Sequence, residues 1–306
     1  MIDPRIAKPR VHLPAGSLVA STDALLQSSG VAVELLERTA ARTPLGAVVV
    51  ARLREGGAVE VAGPSAAEQV REASEAMLAH GARRVLIDGA IDRRAASSPA
   101  VSDGLVMATG AVLSTELEQV VARTKEAVEL TRLPPLAELP EAAREAALAI
   151  ARGPGEGDAL LDASGELHAL APRFLLSAAP EALRELLTRV GEPSLLLARG
   201  AVPEQTLEAL ADALRRRSRT LALLVRDPTH LFLRSRGVDW YRRQGLALFV
   251  LEPIELRAIT VNPVAPESHH FDSGELRSRL AAVIEGVPVL DVCHPDYPAA
   301  HAPLAG

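Results

Sequence analysis

The stretch Val85-Leu86-Ile87-Asp88-Gly89-Ala90-Ile91-Asp92-Arg93-Arg94 decides how the first half of the chain is read. Three aliphatic residues run into an aspartate and a glycine. That is the pattern of a buried strand delivering Asp88 to a loop at its carboxyl end. Open α/β sheets bind ligands outside such strand ends. Asp88, Asp92, Arg93 and Arg94 therefore form the first candidate surface. Adjacent arginines grip carboxylates or phosphates through paired donors, and they serve equally as a solvated face or a salt bridge. Asp88 itself has three readings: a ligand for metal or substrate, a turn residue beside Gly89, or part of a protein-recognition surface.

Working upstream, Val70, Ala73, Met77 and Leu78 place an apolar stripe on a helix predicted from Ala66 to about His80, with Gly81 ending it. Ser65 and Glu68 have the spacing of a capping box. Before that, Ala47–Leu53 and Val59–Ala62 suggest a hairpin, Leu18–Ala20 a short strand, and Val31–Glu37 either helix or strand. Residues 1–16, with three prolines, read as an irregular lead-in without the apolar region of a signal peptide. Downstream, Leu105–Ala108 is a short strand ending in Thr109-Gly110, followed by a second capping box, Thr115 with Glu118, and a helix to Thr131. Asp103 and Thr109 add polar groups to the same edge. The helix start there can host an anion, unless Ser114, Thr115 and Glu118 already satisfy its donors.

The proline- and glycine-rich stretch 134–157 reads as a connector, giving an N-terminal α/β domain 1–133 and a C-terminal α/β domain 158–306. In the second half, 159–162 with 167–170 looks like a hairpin, and Pro180–Val190 like a helix. Ser194–Leu197, Thr220–Val225, Leu246–Leu251 and Val287–Val292 read as strands. The predicted fold class is α/β: two layered regions with mixed or mostly parallel sheets, a P-loop-like topology without a P-loop.

Asp227-Pro228-Thr229-His230 follows a strand and brings a carboxylate, a hydroxyl and an imidazole together. A nucleophilic triad needs groups from separate loops, so an Asp-Pro turn is the simpler reading. Asn262-Pro263 and Pro266 bound a rigid loop leading to His269, His270 and Asp272, a set that can bind a metal only if neighbouring imidazoles converge. Trp240 and Tyr241 are the one close aromatic pair in a chain with 2% aromatics, and fit a core edge or a partner contact. No residue is assigned as catalytic or as a metal ligand.

Composition sets outer limits. With 306 residues and 48% hydrophobic content a large core is available, and a formal net charge of −6 disfavours a nucleic-acid binder steered by bulk charge. One cysteine, Cys293, excludes an intrachain disulfide. The only lysines, Lys8 and Lys125, sit outside any glycine-rich turn, so no P-loop is recognisable. No apolar run reaches the ~18 residues of a spanning helix, and a soluble cytoplasmic protein is expected.

Several motifs resemble the B subunit of lysine 5,6-aminomutase reactivase. They are Thr43–Gly46, Gly63–Ser65, Ile87–Arg93, Ala108–Ala111, Asp227–Thr229, Ala258–Pro263 and Val287–Val292. The resemblance spans most of residues 15–292. It implies an accessory protein of an adenosylcobalamin- and pyridoxal-phosphate-dependent aminomutase in amino-acid fermentation. ATP and magnesium would then be used by a separate ATPase subunit resembling mismatch-repair ATPases, with which this chain assists exchange of damaged cobalamin. It assigns no cofactor to this chain and carries no catalytic residue over. Two other classes stay open: a small-molecule enzyme with an Asp88-centred site, and a binding or regulatory module without turnover.

Overall fold

The computed structural model describes residues 10–64, 66–88, 97–139, 141–152, 157–190, 193–216, 219–266 and 269–294. The protein is mixed α/β, with parallel, antiparallel and mixed sheets, none closed into a barrel among the described residues. It divides into two compact units, Met1–Ser102 and Asp103–Gly306, so the stretch 134–157 lies inside the second. No helix among the described residues is long and apolar enough to cross a membrane.

The first unit is antiparallel. Strand β4 (Gly46–Leu53) lies between β2 (Leu18–Thr22) and β3 (Val33–Thr43), while β1 (Arg10–Leu13) pairs with β5 (Gly57–Glu60). Val49, Ala51 and Leu53 share a buried cluster with Val19, Leu26 and Val59; Val48 and Val50, on the other face, are equally buried. Helix α1 (Asp23–Ser28) follows β2, and α2 (Ala67–Ala79) packs on the sheet through Ala73 and Ala76.

This arrangement resolves one open sequence reading and corrects three. Most of the ambiguous 31–37 segment, from Val33, belongs to an eleven-residue strand, because Gly46, at φ 123°, makes a tight turn that folds β3 onto β4. The expected hairpin between 47–53 and 59–62 is absent: β5 pairs with β1, and is tied to β2 by Ser21, whose Oγ donates to Glu60 O at 2.9 Å and accepts from Ala62 N at 3.0 Å. Part of the expected irregular lead-in is strand β1. Finally, Val85–Asp88 forms no strand, and Leu86 is 94% exposed. A short apolar run becomes a strand only where a sheet edge accepts it, and this one pairs with no strand among the described residues of the unit.

The second unit holds two main layers, with a short parallel pair, β10 (Val202–Pro203) and β12 (Leu231–Phe232), and a one-turn helix α5 (Phe174–Ser177) beside them. In the five-stranded sheet, β13 (Leu246–Val250), β11 (Leu221–Val225) and β9 (Pro193–Leu197) are parallel; β7 (Gly157–Asp162) and β8 (Leu167–Pro172) continue it antiparallel. The parallel strands read as unbroken apolar runs because both their faces are covered. Leu196, Leu223 and Leu248 enter one cluster with α6 (Pro180–Arg189) and α7 (Glu204–Arg215), and Leu195, Leu197 and Leu224 enter another with α4 (Glu141–Arg152). Tyr241, on α8 (Val238–Arg243), is fully buried in the first of these clusters. The half-buried Trp240 meets it edge-on, with ring centroids 5.0 Å apart.

The smaller sheet is wholly parallel, in the order β15 (Val289–Leu290), β14 (Leu256–Asn262), β6 (Leu105–Gly110). Helices α3 (Leu117–Thr131) and α9 (Ser273–Val283) pack together on one face over Ile259 and Val261. The expected capping box of α3 does not form: Glu116 is the cap position with no side-chain cap, and Ser114 Oγ instead accepts Glu116 N at 3.1 Å. The box of α2 involves Ser65, which lies outside the described residues.

One contact pins the loop before α8. Glu204 Oε1 accepts three consecutive backbone N–H groups, from Arg234 (3.1 Å), Ser235 (2.7 Å) and Arg236 (3.1 Å). Burial by itself raises the pKa of this carboxyl, and the backbone donors outweigh it, leaving the pKa below its ordinary value. Glu204→Ala is therefore expected to lower stability in urea by about 1–3 kcal/mol. Because the folded pKa is the lower one, the gap between wild type and variant is full above the ordinary carboxyl value of 4.5 and shrinks as pH falls through the lowered value.

Candidate functional site

Three parallel strands of one small sheet end at a common edge. In register, Gly110 faces Asn262, and Thr260 faces both Ala108 and Leu290. The approach at Gly110 is close: a Cβ there would lie 2.0 Å from Asn262 O. Only glycine fits.

Beyond the strands, the loops are cross-linked. His269 Nε2 donates to two carbonyls of the β6–α3 turn, Ala111 O at 2.9 Å and Ser114 O at 3.2 Å. Two carbonyl acceptors require the proton on Nε2. Phe271 N donates to Pro263 O at 2.9 Å and Val264 N to Asn262 Oδ1 at 3.1 Å, so the proline-bounded loop is held at both ends. Asp272 caps α9 by accepting Glu275 N at 2.7 Å.

Asp291, 4% exposed, joins the exit of β15 to the start of α9. Its Oδ2 accepts Ser273 Oγ at 2.5 Å and its Oδ1 accepts Cys293 N at 3.0 Å. Between these groups lies a cleft of about 430 Å³ whose lining includes Asn262, Phe271, Asp291, the exposed Cys293 and His294. Each strand is followed by an exposed apolar side chain: Val112 at 69%, Val264 at 59% and Val292 at 50%. Exposed apolar side chains just beyond the strand ends suit recognition of another surface.

The residues singled out from sequence fall in three places. Thr109 and Asn262 belong to this edge, and Asp103 is exposed two residues before β6. Thr109 is buried and its hydroxyl is internal: Thr124 Oγ1 gives its proton to Val120 O at 2.7 Å, so Thr109 donates to Thr124 at 2.6 Å. Asp227 and Thr229 lie past β11 on the other layer, where Asp227 Oδ1 accepts Thr229 N at 2.8 Å, Thr229 Oγ1 at 2.5 Å and His230 Nδ1 at 3.2 Å. That network caps the turn at Pro228–His230. Asp88 is exposed in the first unit, off any strand, and Asp92, Arg93 and Arg94 lie outside the described residues.

Sequence reading gave no site role to Asp291, which it held only within the Val287–Val292 motif, to Ser273, which it held only as a possible helix cap, or to Asp158. Asp158 is 2% exposed and accepts Leu175 N at 2.8 Å and Arg199 N at 2.9 Å. For Asp291 the signal was available, since Val289-Leu290-Asp291 is the same apolar-run-then-aspartate pattern as Val85–Asp88. Comparison of the chain with models of protein families, with curated protein sequences and with solved structures found no match.

Proposed function

We propose that this chain is an assembly subunit of a reactivase serving an adenosylcobalamin- and pyridoxal-phosphate-dependent aminomutase, docking through the carboxyl edge of the β6–β14–β15 sheet. One observation carries the reading. Three of the segments that resemble the reactivase subunit, Ala108–Ala111, Ala258–Pro263 and Val287–Val292, converge on that edge. The rim of Val112, Val264 and Val292 gives a partner apolar surface to cover. In this reading the ATPase partner hydrolyses ATP with magnesium, the mutase holds cobalamin and pyridoxal phosphate, and this chain connects them. The Asp88-centred enzyme loses the strand-end geometry that motivated it.

Reconstitution from purified components tests this. A mutase inactivated with damaged cobalamin is expected to recover with ATP and fresh cofactor only when both the ATPase and this chain are present. The double variant Val112→Glu and Val264→Glu is expected to keep its circular dichroism and to lose at least about tenfold in partner affinity, as burying unpaired charge at an interface core requires. Recovery independent of this chain, or elution of the chain alone at every concentration, overturns the proposal. Complex formation without recovery leaves a binding module without turnover.

A further inference from the structure

A second cluster lies on the β7–β8 hairpin, at one end of the five-stranded sheet, and it is independent of the docking edge. The turn Asp162-Ala163-Ser164-Gly165-Glu166-Leu167-His168 places polar side chains at alternate positions, with Gly165 at φ 87° reversing the chain. The two carboxylate oxygens of Asp162 do different work. Oδ1 accepts Ser164 N at 2.9 Å, Ser164 Oγ at 2.6 Å and Glu166 N at 2.9 Å, which builds the turn. Oδ2 faces His168 Nε2 at 3.0 Å. One ligand atom from each of Asp162, Glu166 and His168 lies within 4.8 Å of the other two.

We propose that Asp162, Glu166 and His168 bind a divalent transition-metal ion. Ligand atoms about 2.1 Å from a tetrahedral zinc ion are about 3.4 Å apart, so the hydrogen-bonded Asp162–His168 pair, at 3.0 Å, opens by only a few tenths of an ångström to admit the ion. On metal binding His168 moves its proton to Nδ1, so that Nε2 offers its lone pair in place of a hydrogen bond. Because Oδ1 fixes the turn, Oδ2 is positioned without further ordering, and the exposed Glu166 supplies the third arm. One imidazole with two carboxylates favours zinc-like ions over calcium and magnesium, which prefer all-oxygen sets. The solvent side is left for water or for a donor from another molecule.

The test is calorimetric titration of Zn²⁺ into the chelator-treated full chain, with the thermal midpoint followed in parallel. One equivalent is expected to bind and raise the midpoint, with millimolar Ca²⁺ failing to compete. His168→Gln and Glu166→Gln leave every Oδ1 bond in place, and each is expected to weaken binding by tenfold or more. His80→Gln, at a surface histidine–glutamate pair in the other unit, is expected to change nothing. Absence of stoichiometric binding, or binding that survives both hairpin variants, overturns the site.

Discussion

Replacing Tyr241 by alanine is expected to cost the second unit about 3–5 kcal/mol in urea denaturation, and replacing it by phenylalanine to cost nothing or to stabilise. Both expectations come from one side chain. The ring is fully buried among leucines of the largest core cluster and braced by Trp240, so truncation leaves a cavity the sheet cannot refill. The hydroxyl is buried with no hydrogen-bond partner among the described residues. Burial, reinforced by the charges of Glu204 and Glu208, pushes the phenol's pKa up and keeps it neutral. An orphan hydroxyl costs desolvation and returns no bond, so removing it relieves the fold. A phenylalanine variant less stable than wild type by more than about 1 kcal/mol would place a partner on that oxygen.

Gly110→Ala is expected to lower stability by about 3 kcal/mol or more. The new methyl would sit 2.0 Å from Asn262 O, a backbone atom fixed by the parallel ladder, and neither strand can move without opening the pairing. The same change should impair partner binding, because it displaces the ends of β6 and β14 together. Gly63→Ala is the matched control: its Cβ meets nothing within 4 Å, and a shift within about 0.5 kcal/mol is expected. Equal denaturation midpoints for both variants would refute the close approach.

Much of the second unit was legible from sequence because its strands are buried on both faces. Thr220–Val225 and Leu246–Leu251 are continuous aliphatic runs, and they became β11 and β13 almost unchanged. Helix α3 was legible from its apolar periodicity, while α4, rich in alanine, lies inside the stretch read as a connector. The first unit was harder. In β3, Glu34, Glu37, Arg38 and Arg42 interrupt the apolar residues and the pairing carries register shifts, so neither period is clean. Val85–Asp88 carried a strand's composition without a strand's partner, and pairing is a property of the whole fold. The candidate edge was partly visible, through Thr109 and Asn262, yet nothing local links residues that far apart. Their alignment arises from the ladder between β6 and β14.

That ladder has a kinetic consequence. Leu105 and Leu256 are partners although about 150 residues separate them, and the whole five-stranded layer is threaded between. Closing so long a loop from an unstructured chain is slow and entropically costly. The intervening layer shortens the path. The segment leading into that layer meets its last strand where Val250 N donates to Pro134 O at 3.0 Å, so once the layer has folded the remaining gap is only residues 105–134 and the few residues after β13. The saving in closure entropy is about 1 kcal/mol. During synthesis the β6 strand therefore leaves the ribosome long before its partner exists, and its uncharged, aliphatic edge must wait unpaired until the last fifth of the chain arrives. Expression yield should accordingly respond more to chaperone supply and growth temperature than the stability of the finished fold would suggest.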